Sequence, residues 1–446
     1  MVDTSVIEKN SIEETQKISF FDYLYVFILV LYAGRGNEFF NSTSFTENTI
    51  GIIIPILLSG ILAFRWKIVF DHRFYLLLFF FGIYFVAVSI KYGDIQPSFL
   101  LTYYVMFFVV YSAIKSLKFN LFIIYEYFLF LLAIVSLFMW VVQIGLGGDT
   151  LFNIFSRSSY LQLISSVSGN GINAFFYSVQ PYATTLINNY TIPRNCGFAW
   201  EPGSFAIYIC LAIFINLFIS KNDENRKLRF WVLTFALIST QSTTGYVIYM
   251  LIMSFNIINK KLPTALLLLP VAIVMMVTIF SLPFMKDKII ELISETSRLD
   301  QLLLDSYGRE DSATPQRFMS FLITFQDFLN NPVLGIAARR EESWVYQLGS
   351  HISPISGIGF LLSQFGIVGT LFFFIVSIKS SFYFSRYFRY KGRLLLFLVI
   401  FAISISYTIL FISLIMIFWM FSLFEDELPE NNNNIDLVSE ENRPPG

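Results

Sequence analysis

The stretch IPRNCGFAWEPGSFAIYICLAIFINLF, residues 192–218, joins a polar segment to a long, mostly apolar one. The apolar half predicts a membrane-buried helix, because a bilayer core about 30 Å thick needs roughly 20 apolar residues in a row. Pro202 suits the first helical position, where its missing N–H would have no partner, and the residue before a proline is biased to extended backbone. We therefore expect a helix that begins at Pro202, with Arg194 and Glu201 just outside its N-terminus.

The apolar character extends over most of the chain. Of 446 residues, 56% are hydrophobic and 14% charged, with 52 Phe and a mean hydropathy of +0.65, whereas about 25% of the residues of soluble proteins are charged. The apolar runs are long and unbroken, which favours helices over the ten-residue alternation of a membrane β-barrel. The composition predicts an all-α polytopic integral membrane protein, and we expect no nucleic-acid partner.

The apolar runs predict about 12 transmembrane helices. Two runs are too long for one span and break in the middle, at STQSTTG and near SISYT, so each predicts a hairpin of two short helices: 230–259 and 394–424. The other spans are predicted near 18–34, 48–64, 74–90, 98–114, 121–145, 198–219, 263–284 and 355–378.

The basic residues indicate an orientation. They concentrate in alternate loops, while the short loops of the opposite side contain only Arg35 and Lys91. Cytoplasmic loops carry the excess of Lys and Arg, so both termini are predicted to be cytoplasmic.

This orientation divides the chain into three parts. Residues 1–17 form a cytoplasmic tail, 18–424 the transmembrane domain, and the acidic, Asn-rich residues 425–446 a disordered tail. Two long loops, 145–199 and 285–353, fall on the outer side in this prediction. Long loops are usually either functional or disordered. The aromatic and apolar residues of these two argue against disorder, so we expect them to contain interfacial helices and to have a function.

The outer end of the helix at Pro202 predicts an anion site. The N–H groups of Gly203, Ser204 and Phe205 are expected to be free and to point outward with the positive end of the helix dipole, with Glu201 at the edge of the site. The alternative is that Glu201 caps its own helix and Arg194 is a surface residue or pairs with it.

A second candidate segment is SATPQRFMSFLITFQDFLNNPVLG, residues 312–335. Thr314 and Pro315 are typical of an N-cap and a first helical residue. Arg317 then lies in the first turn, where a cation opposes the helix dipole unless an anion binds nearby; the alternative is an arginine that reaches to lipid headgroups. The expected apolar stripe is Phe318, Phe321, Leu322, Phe325, Phe328 and Leu329.

A third segment is YQLGSHISPISGIGFLLSQFGIVG, residues 346–369. Ser353 and Pro354 predict another helix start at the outer face, directly after His351. Its near-neutral reference pKa makes His351 a candidate proton acceptor, and the alternative is a structural histidine. Because the outer loops hold no second histidine and no D-x-D pattern, we expect no metal site.

Three further residues are weaker candidates for substrate binding. Arg339 and Arg340 are candidate phosphate or glycan contacts, with a solvated loop as the alternative. Thr244, in the break of the first hairpin, is a candidate lining residue of a cavity, with a turn satisfied by hydroxyl groups as the alternative.

Four motifs in order resemble bacterial O-antigen and capsular polysaccharide polymerases of the Wzy type, and more distantly the O-antigen ligases. They are RNCGFAWEPGSFA (194–206), STQSTTGYV (239–247), RFMSFLITFQDFLNNPVLGIA (317–337) and HISPISGIGFLLSQFGIVGTLFF (351–373). The resemblance implies a GT-C-like, metal-independent glycosyltransferase without a cofactor. The family's two loop arginines match Arg194 and Arg317, and the ligase histidine matches His351. The ligases offer no clear counterpart of EPG, so Glu201 favours the polymerase.

The resemblance implies a reaction at the outer face of the bacterial cytoplasmic membrane. A growing glycan moves from undecaprenyl diphosphate onto the next lipid-linked repeat unit, so both donor and acceptor are undecaprenyl-diphosphate-linked oligosaccharides. Membrane lipid and a chain-length regulator protein are the other expected partners. The alternatives are an O-antigen ligase and a flippase or transporter of lipid-linked oligosaccharides.

Overall fold

A computed structural model gives the structure of the chain, and it describes residues 18–36, 49–157, 171–180, 183–187, 190–220, 224–258, 317–349, 352 and 355–425. The described part is mostly helical, and four of its helices are long and apolar enough to cross a membrane: His72–Tyr92, Pro97–Leu117, Asn120–Leu146 and Gly357–Tyr387. These properties are those of a helical membrane protein.

Helices occupy each predicted span except 263–284, which lies outside the described residues. They are α1 Phe20–Gly34, α2 Thr49–Arg65, α3 His72–Tyr92, α4 Pro97–Leu117, α5 Asn120–Leu146, α6 Gly148–Arg157, α7 Pro202–Phe218, α8 Arg226–Thr240, α9 Thr243–Ile258, α10 Arg317–Asn330, α11 Trp344–Gln347, α12 Gly357–Tyr387, α13 Leu395–Ser406 and α14 Ser413–Phe424. The two predicted hairpins correspond to α8–α9 and α13–α14. A count of 12 spans and a GT-C-like arrangement stay predictions.

The helix of the opening stretch, α7, lies at the centre of the bundle. Nearly all of its residues are buried, as expected for a helix that is apolar on every side. It packs against α5, α8 and α9, and the Tyr125 hydroxyl of α5 donates to the Tyr208 carbonyl at 2.8 Å. The N-terminal end of α7 is therefore a fixed position around which other segments meet.

The first of the two long loops predicted to be outer contains four short strands as well as a helix, which the all-α prediction did not include. After α6, two antiparallel hairpins pair β1 Ile172–Asn173 with β2 Ser178–Val179, and β3 Thr184–Ile187 with β4 Tyr190–Pro193. The second hairpin is rich in Thr, Ile and Tyr, which favour strands. Strand β4 ends directly before Arg194.

The second of the two loops predicted to be outer contains α10, and the face of α10 that packs on the protein is not the predicted apolar stripe. Met319, Ser320, Ile323, Thr324 and Asp327 are buried, whereas the predicted stripe is exposed or half-buried. The small and polar residues pack closely: a Cβ built on Gly359 of α12 would overlap the Thr324 hydroxyl. The aromatic face of α10 is thus turned outward, as in an interfacial helix.

Helix α12 differs from the predicted span in its start and in its continuity. It begins at Gly357, with the Ser356 hydroxyl accepting from the Gly359 N–H at 3.2 Å, later than the predicted start at Ser353 and Pro354. It is also interrupted at Gly366, where φ is 61° and ψ −158°.

A loop between α10 and α11 pairs with the interrupted part of α12. The N–H of Ile336 donates to the Ser363 carbonyl at 2.9 Å, and the N–H of Ile367 donates to the Pro332 carbonyl at 2.8 Å. Backbone groups freed by a break inside a membrane protein need such partners. The break therefore attaches the α10–α11 loop to the bundle.

We expect Gly366→Ala to lower the free energy of unfolding by roughly 2–3 kcal/mol. The backbone conformation is one that side chains rarely adopt, and a Cβ would lie 2.5 Å from the Val333 carbonyl carbon. Thermal unfolding in detergent measures the change. Gly145→Ala in α5, where no atom lies within 4 Å of the added Cβ, is the control and should not destabilise the protein. Equal melting temperatures for the two variants would contradict the prediction.

Candidate active site

Glu201 is the N-cap residue of α7, but its side chain does not cap the helix. Its backbone is extended, with φ −147° and ψ 159°, Pro202 follows as the first helical residue, and no side-chain cap bond forms. The Ser204 hydroxyl donates to Glu201 Oε1 at 3.4 Å. The alternative in which Glu201 caps its own helix is therefore wrong, and its carboxylate is directed to other partners.

Arg317 approaches this carboxylate from α10. Its Nη2 lies 4.0 Å from Glu201 Oε1, and the Arg317 side chain is 32% exposed and that of Glu201 24% exposed. Nη1 donates to the Thr244 hydroxyl at 3.0 Å and Nη2 to the Tyr407 hydroxyl. The ion pair is thus accessible from outside the bundle and held by groups from α9 and the α13–α14 connection.

Arg194 reaches the same region along a separate path. Its Nε donates to the Thr240 carbonyl at the end of α8, at 3.1 Å, and its backbone N–H donates to the Ala183 carbonyl at 2.8 Å. The next residue fixes the segment: Asn195 Nδ2 donates to the Ser239 hydroxyl at 2.8 Å. A side-chain pair between Arg194 and Glu201 was one alternative; the hydrogen bond of Arg194 is instead to a carbonyl group.

The pKa of Glu201 depends on burial and on the charged and polar groups around its carboxylate. Burial raises the pKa of Glu201, while the positive charge of Arg317, a hydrogen bond from Tyr407 and the positive charge of Arg194 oppose the rise. Burial outweighs these groups, so the pKa stays above the ordinary value of a glutamate. A carboxylate with a raised pKa beside two cations is a suitable proton acceptor at near-neutral pH.

The N-terminus of α7 is less open than expected. Gly203 and Ser204 are buried, and a Cβ on Gly203 would overlap the Tyr407 hydroxyl. The close approach that Gly203 permits is therefore made by Tyr407, not by a ligand. The N–H of Phe205, expected to be free, donates to the Glu201 carbonyl at 3.2 Å.

The remaining predicted residues divide into three cases. Thr244 contacts Arg317, as described above. Arg339 is 3% exposed, and its Nη2 donates to the Asp94 carbonyl at 2.7 Å, so it fixes the α3–α4 connection and is not an accessible substrate contact. Arg340 is exposed on a short 3₁₀ helix, and His351 lies outside the described residues.

Two site residues escaped the sequence analysis. Tyr407 lies in the SISYT break, which predicted only a turn, and Asn195 follows Arg194 in the quoted stretch. A polar residue inside an otherwise apolar hairpin was the available signal for Tyr407. Only the structure shows that this turn comes to α7 rather than to lipid.

Two other features of the described part of the chain were considered as candidate sites. Within the described residues there is no group of three or more His, Cys, Asp or Glu side chains arranged to hold a metal. A mainly apolar cavity between α1, α2, α4 and the start of α14 has Arg35 in its lining. Neither Glu201 nor Arg317 lines it, so it is distinct from the candidate site.

Comparison with models of known protein families finds no match, and no curated protein matches the chain. The resemblance to the Wzy-type polymerases therefore stays a prediction from the four sequence motifs.

Proposed function

We propose that the protein is a polysaccharide polymerase that transfers a growing glycan from polyprenyl diphosphate to the next lipid-linked repeat unit. The observation that carries the proposal is the ion pair of Arg317 with Glu201 at the N-terminal end of α7, where the positive charge of Arg194, from a second loop, acts on the same carboxylate. In the proposed orientation this cluster lies at the outer face of the bacterial cytoplasmic membrane.

The reaction requires two kinds of group. The bond between the anomeric carbon of the donor and its phosphate oxygen breaks, and polyprenyl diphosphate leaves with the bonding electrons. Arginine suits the departing diphosphate, since it is always charged and donates in a bidentate manner to phosphate. Arg317 and Arg194 take this role.

The acceptor hydroxyl forms the new glycosidic bond and gives up a proton. Glu201 is the proposed base, because its pKa is raised and its carboxylate lies beside the proposed diphosphate ligands. His351 is the alternative base that the family resemblance offers.

The structure bears on the transporter alternative at one charged residue. Ionisable groups in membrane spans mark transport pathways by default, and Glu126 of α5 is such a group. It is buried and accepts from Arg229 Nε at 2.9 Å, Asn216 Nδ2 at 2.7 Å and the Ser220 hydroxyl at 2.5 Å. These partners give it a structural role that joins α5, α7 and α8, and the candidate chemistry stays at the outer end of α7.

Purified protein in lipid vesicles with a synthetic polyprenyl-diphosphate repeat unit tests the proposal. We expect lipid-linked products that grow by whole repeats, with one polyprenyl diphosphate released for each bond formed. Transfer only to a different glycan acceptor would indicate a ligase, and movement of the repeat unit across the bilayer without new bonds would indicate a flippase; either result would overturn the proposal.

Cells that lack the protein provide an independent test. Loss of a polymerase leaves a single repeat unit on the surface. Loss of a ligase instead leaves lipid-linked polymer with no attached glycan, and loss of a flippase leaves repeat units on the inner side of the membrane.

A further inference from the structure

The connection between α13 and α14 contains Tyr407, which packs against glycines of two other helices. One glycine lies against its backbone carbonyl and the other against its hydroxyl. Tyr407 follows α13 in extended conformation, with φ −143° and ψ 141°. A Cβ on Gly357, the first residue of α12, would overlap the Tyr407 carbonyl oxygen. A Cβ on Gly203 would overlap the hydroxyl and lie 2.7 Å from Cζ. The absence of side chains at these two helix starts is what allows Tyr407 to occupy its place.

From this place Tyr407 contacts Arg317 in two ways. The guanidinium carbon lies 4.1 Å from the centre of the Tyr407 ring, and Nη2 donates to the hydroxyl. A cation over an aromatic ring is attracted by about 0.5–2 kcal/mol, depending on how far it is desolvated. The preceding residue contributes as well: the Ser406 hydroxyl lies 2.9 Å from that of Thr244, which accepts from Nη1. Both terminal nitrogens of the guanidinium, Nη1 and Nη2, are thus held by groups linked to this connection.

We propose that Tyr407 is a positioning residue that orients the guanidinium of Arg317 and the carboxylate of Glu201 toward each other. Its ring supports the guanidinium, its hydroxyl accepts from Nη2, and the hydroxyl proton is directed to Glu201. This role goes beyond the proposed polymerase function, which assigns nothing to Tyr407, and it holds for whatever reaction this pair performs.

The proposal makes a statement about the protonation of Glu201. The charged and titratable groups that face this carboxylate are Arg317 from α10, Arg194 from the segment after β4, Tyr407 itself, Cys196, and Tyr208 on its own helix. The hydrogen bond from Tyr407 favours the charged form of the carboxylate and lowers the pKa of Glu201 against the effect of burial. Removal of the hydroxyl should therefore raise this pKa further.

Tyr407→Phe tests the proposal, with Tyr390→Phe as the matched control. Tyr390 is also buried, but its hydroxyl has no hydrogen-bond partner in the described part of the chain. The protonation of Glu201 is followed directly by infrared titration of protein labelled with ¹³C-glutamate, with Glu201→Gln identifying the band. We expect the titration midpoint of Tyr407→Phe to move upward by about half to one pH unit, while Tyr390→Phe leaves it in place. An unchanged midpoint in Tyr407→Phe overturns the proposal.

Gly203→Ala provides a second variant that keeps the tyrosine. The added methyl group displaces the hydroxyl, so the midpoint should move in the same direction as in Tyr407→Phe, and the double variant should show less than the sum of the two shifts. Additive shifts would mean that Gly203 acts independently of Tyr407 and would contradict the proposal.

The activity readout separates this inference from the proposed function. Turnover in Tyr407→Phe should fall about tenfold, and its acidic limb should move upward together with the infrared midpoint. Wild-type protein that forms no glycosidic bond would overturn the polymerase proposal alone, because the infrared titration of Glu201 does not depend on activity.

Discussion

Turnover is expected to fall about 10²–10⁴-fold when Glu201 is replaced by glutamine, because the acceptor hydroxyl then has no base. Glutamine keeps the shape and the hydrogen bond from Ser204 but cannot take a proton. Formation of the first glycosidic bond by purified protein, measured under single-turnover conditions, isolates the chemical step from product release.

The pH dependence of turnover is a second test of Glu201 as the base. Only the deprotonated carboxylate accepts a proton, so wild-type activity rises with pH as Glu201 loses its own proton. Burial raises the pKa of Glu201, so this acidic limb should lie at a higher pH than an ordinary glutamate would give. The limb should be absent from the residual activity of Glu201→Gln.

Two variants complete this experiment. Glu341→Gln alters an exposed carboxylate between α10 and α11 and should retain wild-type turnover and the wild-type acidic limb. His351→Ala tests the alternative base. Full activity of Glu201→Gln at every pH would exclude Glu201 as the base, and a lost limb in His351→Ala would then assign the role to the histidine.

The sequence was sufficient for the helices because their signal is local. Apolar runs and their breaks predicted the hairpins α8–α9 and α13–α14, and Pro202 marked the start of α7. The interruption of α12 at Gly366 was not predictable in the same way, since FGIVG is equally compatible with a continuous helix. Its cause is the distant segment 332–337, whose backbone replaces the missing helical partners.

The candidate site shows the same division between local and distant information. Arg194, Glu201 and Arg317 stood out because charge is rare in this chain. The structure pairs Arg317 with Glu201 at 4.0 Å and holds the side chain of Arg194 on the Thr240 carbonyl. Arg339 stood out for the same reason, yet it is buried against the α3–α4 connection. The stripe of α10 was readable from its spacing, but the sequence did not indicate that Met319, Ser320, Ile323, Thr324 and Asp327 form the face that packs on the protein.

Arg317→Ala is expected to reduce turnover about 10²–10³-fold, the usual cost of removing one preorganised donor from a developing negative charge. The protein should still fold, since the side chain is 32% exposed and α10 keeps its buried face. Arg194→Ala should have an effect of similar size. The measurement is again single-turnover bond formation, with melting temperature as the test of folding.

The arginine-to-lysine variant separates charge from geometry. The guanidinium of Arg317 donates to Thr244 and Tyr407 through different nitrogens, and a single ammonium group cannot reproduce this fork. Arg317→Lys should therefore recover only a small part of the lost turnover. Complete recovery would mean that positive charge alone suffices and that the orientation of the guanidinium has no role.

Arg340→Ala is the control for charge in the segment that contains α10 and α11. Arg340 is exposed. Its replacement by alanine removes one positive charge, as Arg317→Ala does, but leaves the side chains around Glu201 unchanged. Turnover near the wild-type level in Arg340→Ala, together with the loss in Arg317→Ala, would locate the diphosphate at the end of α7. Equal losses would indicate general attraction of an anionic lipid to a basic surface, because long-range attraction depends on total charge and not on the position of one guanidinium.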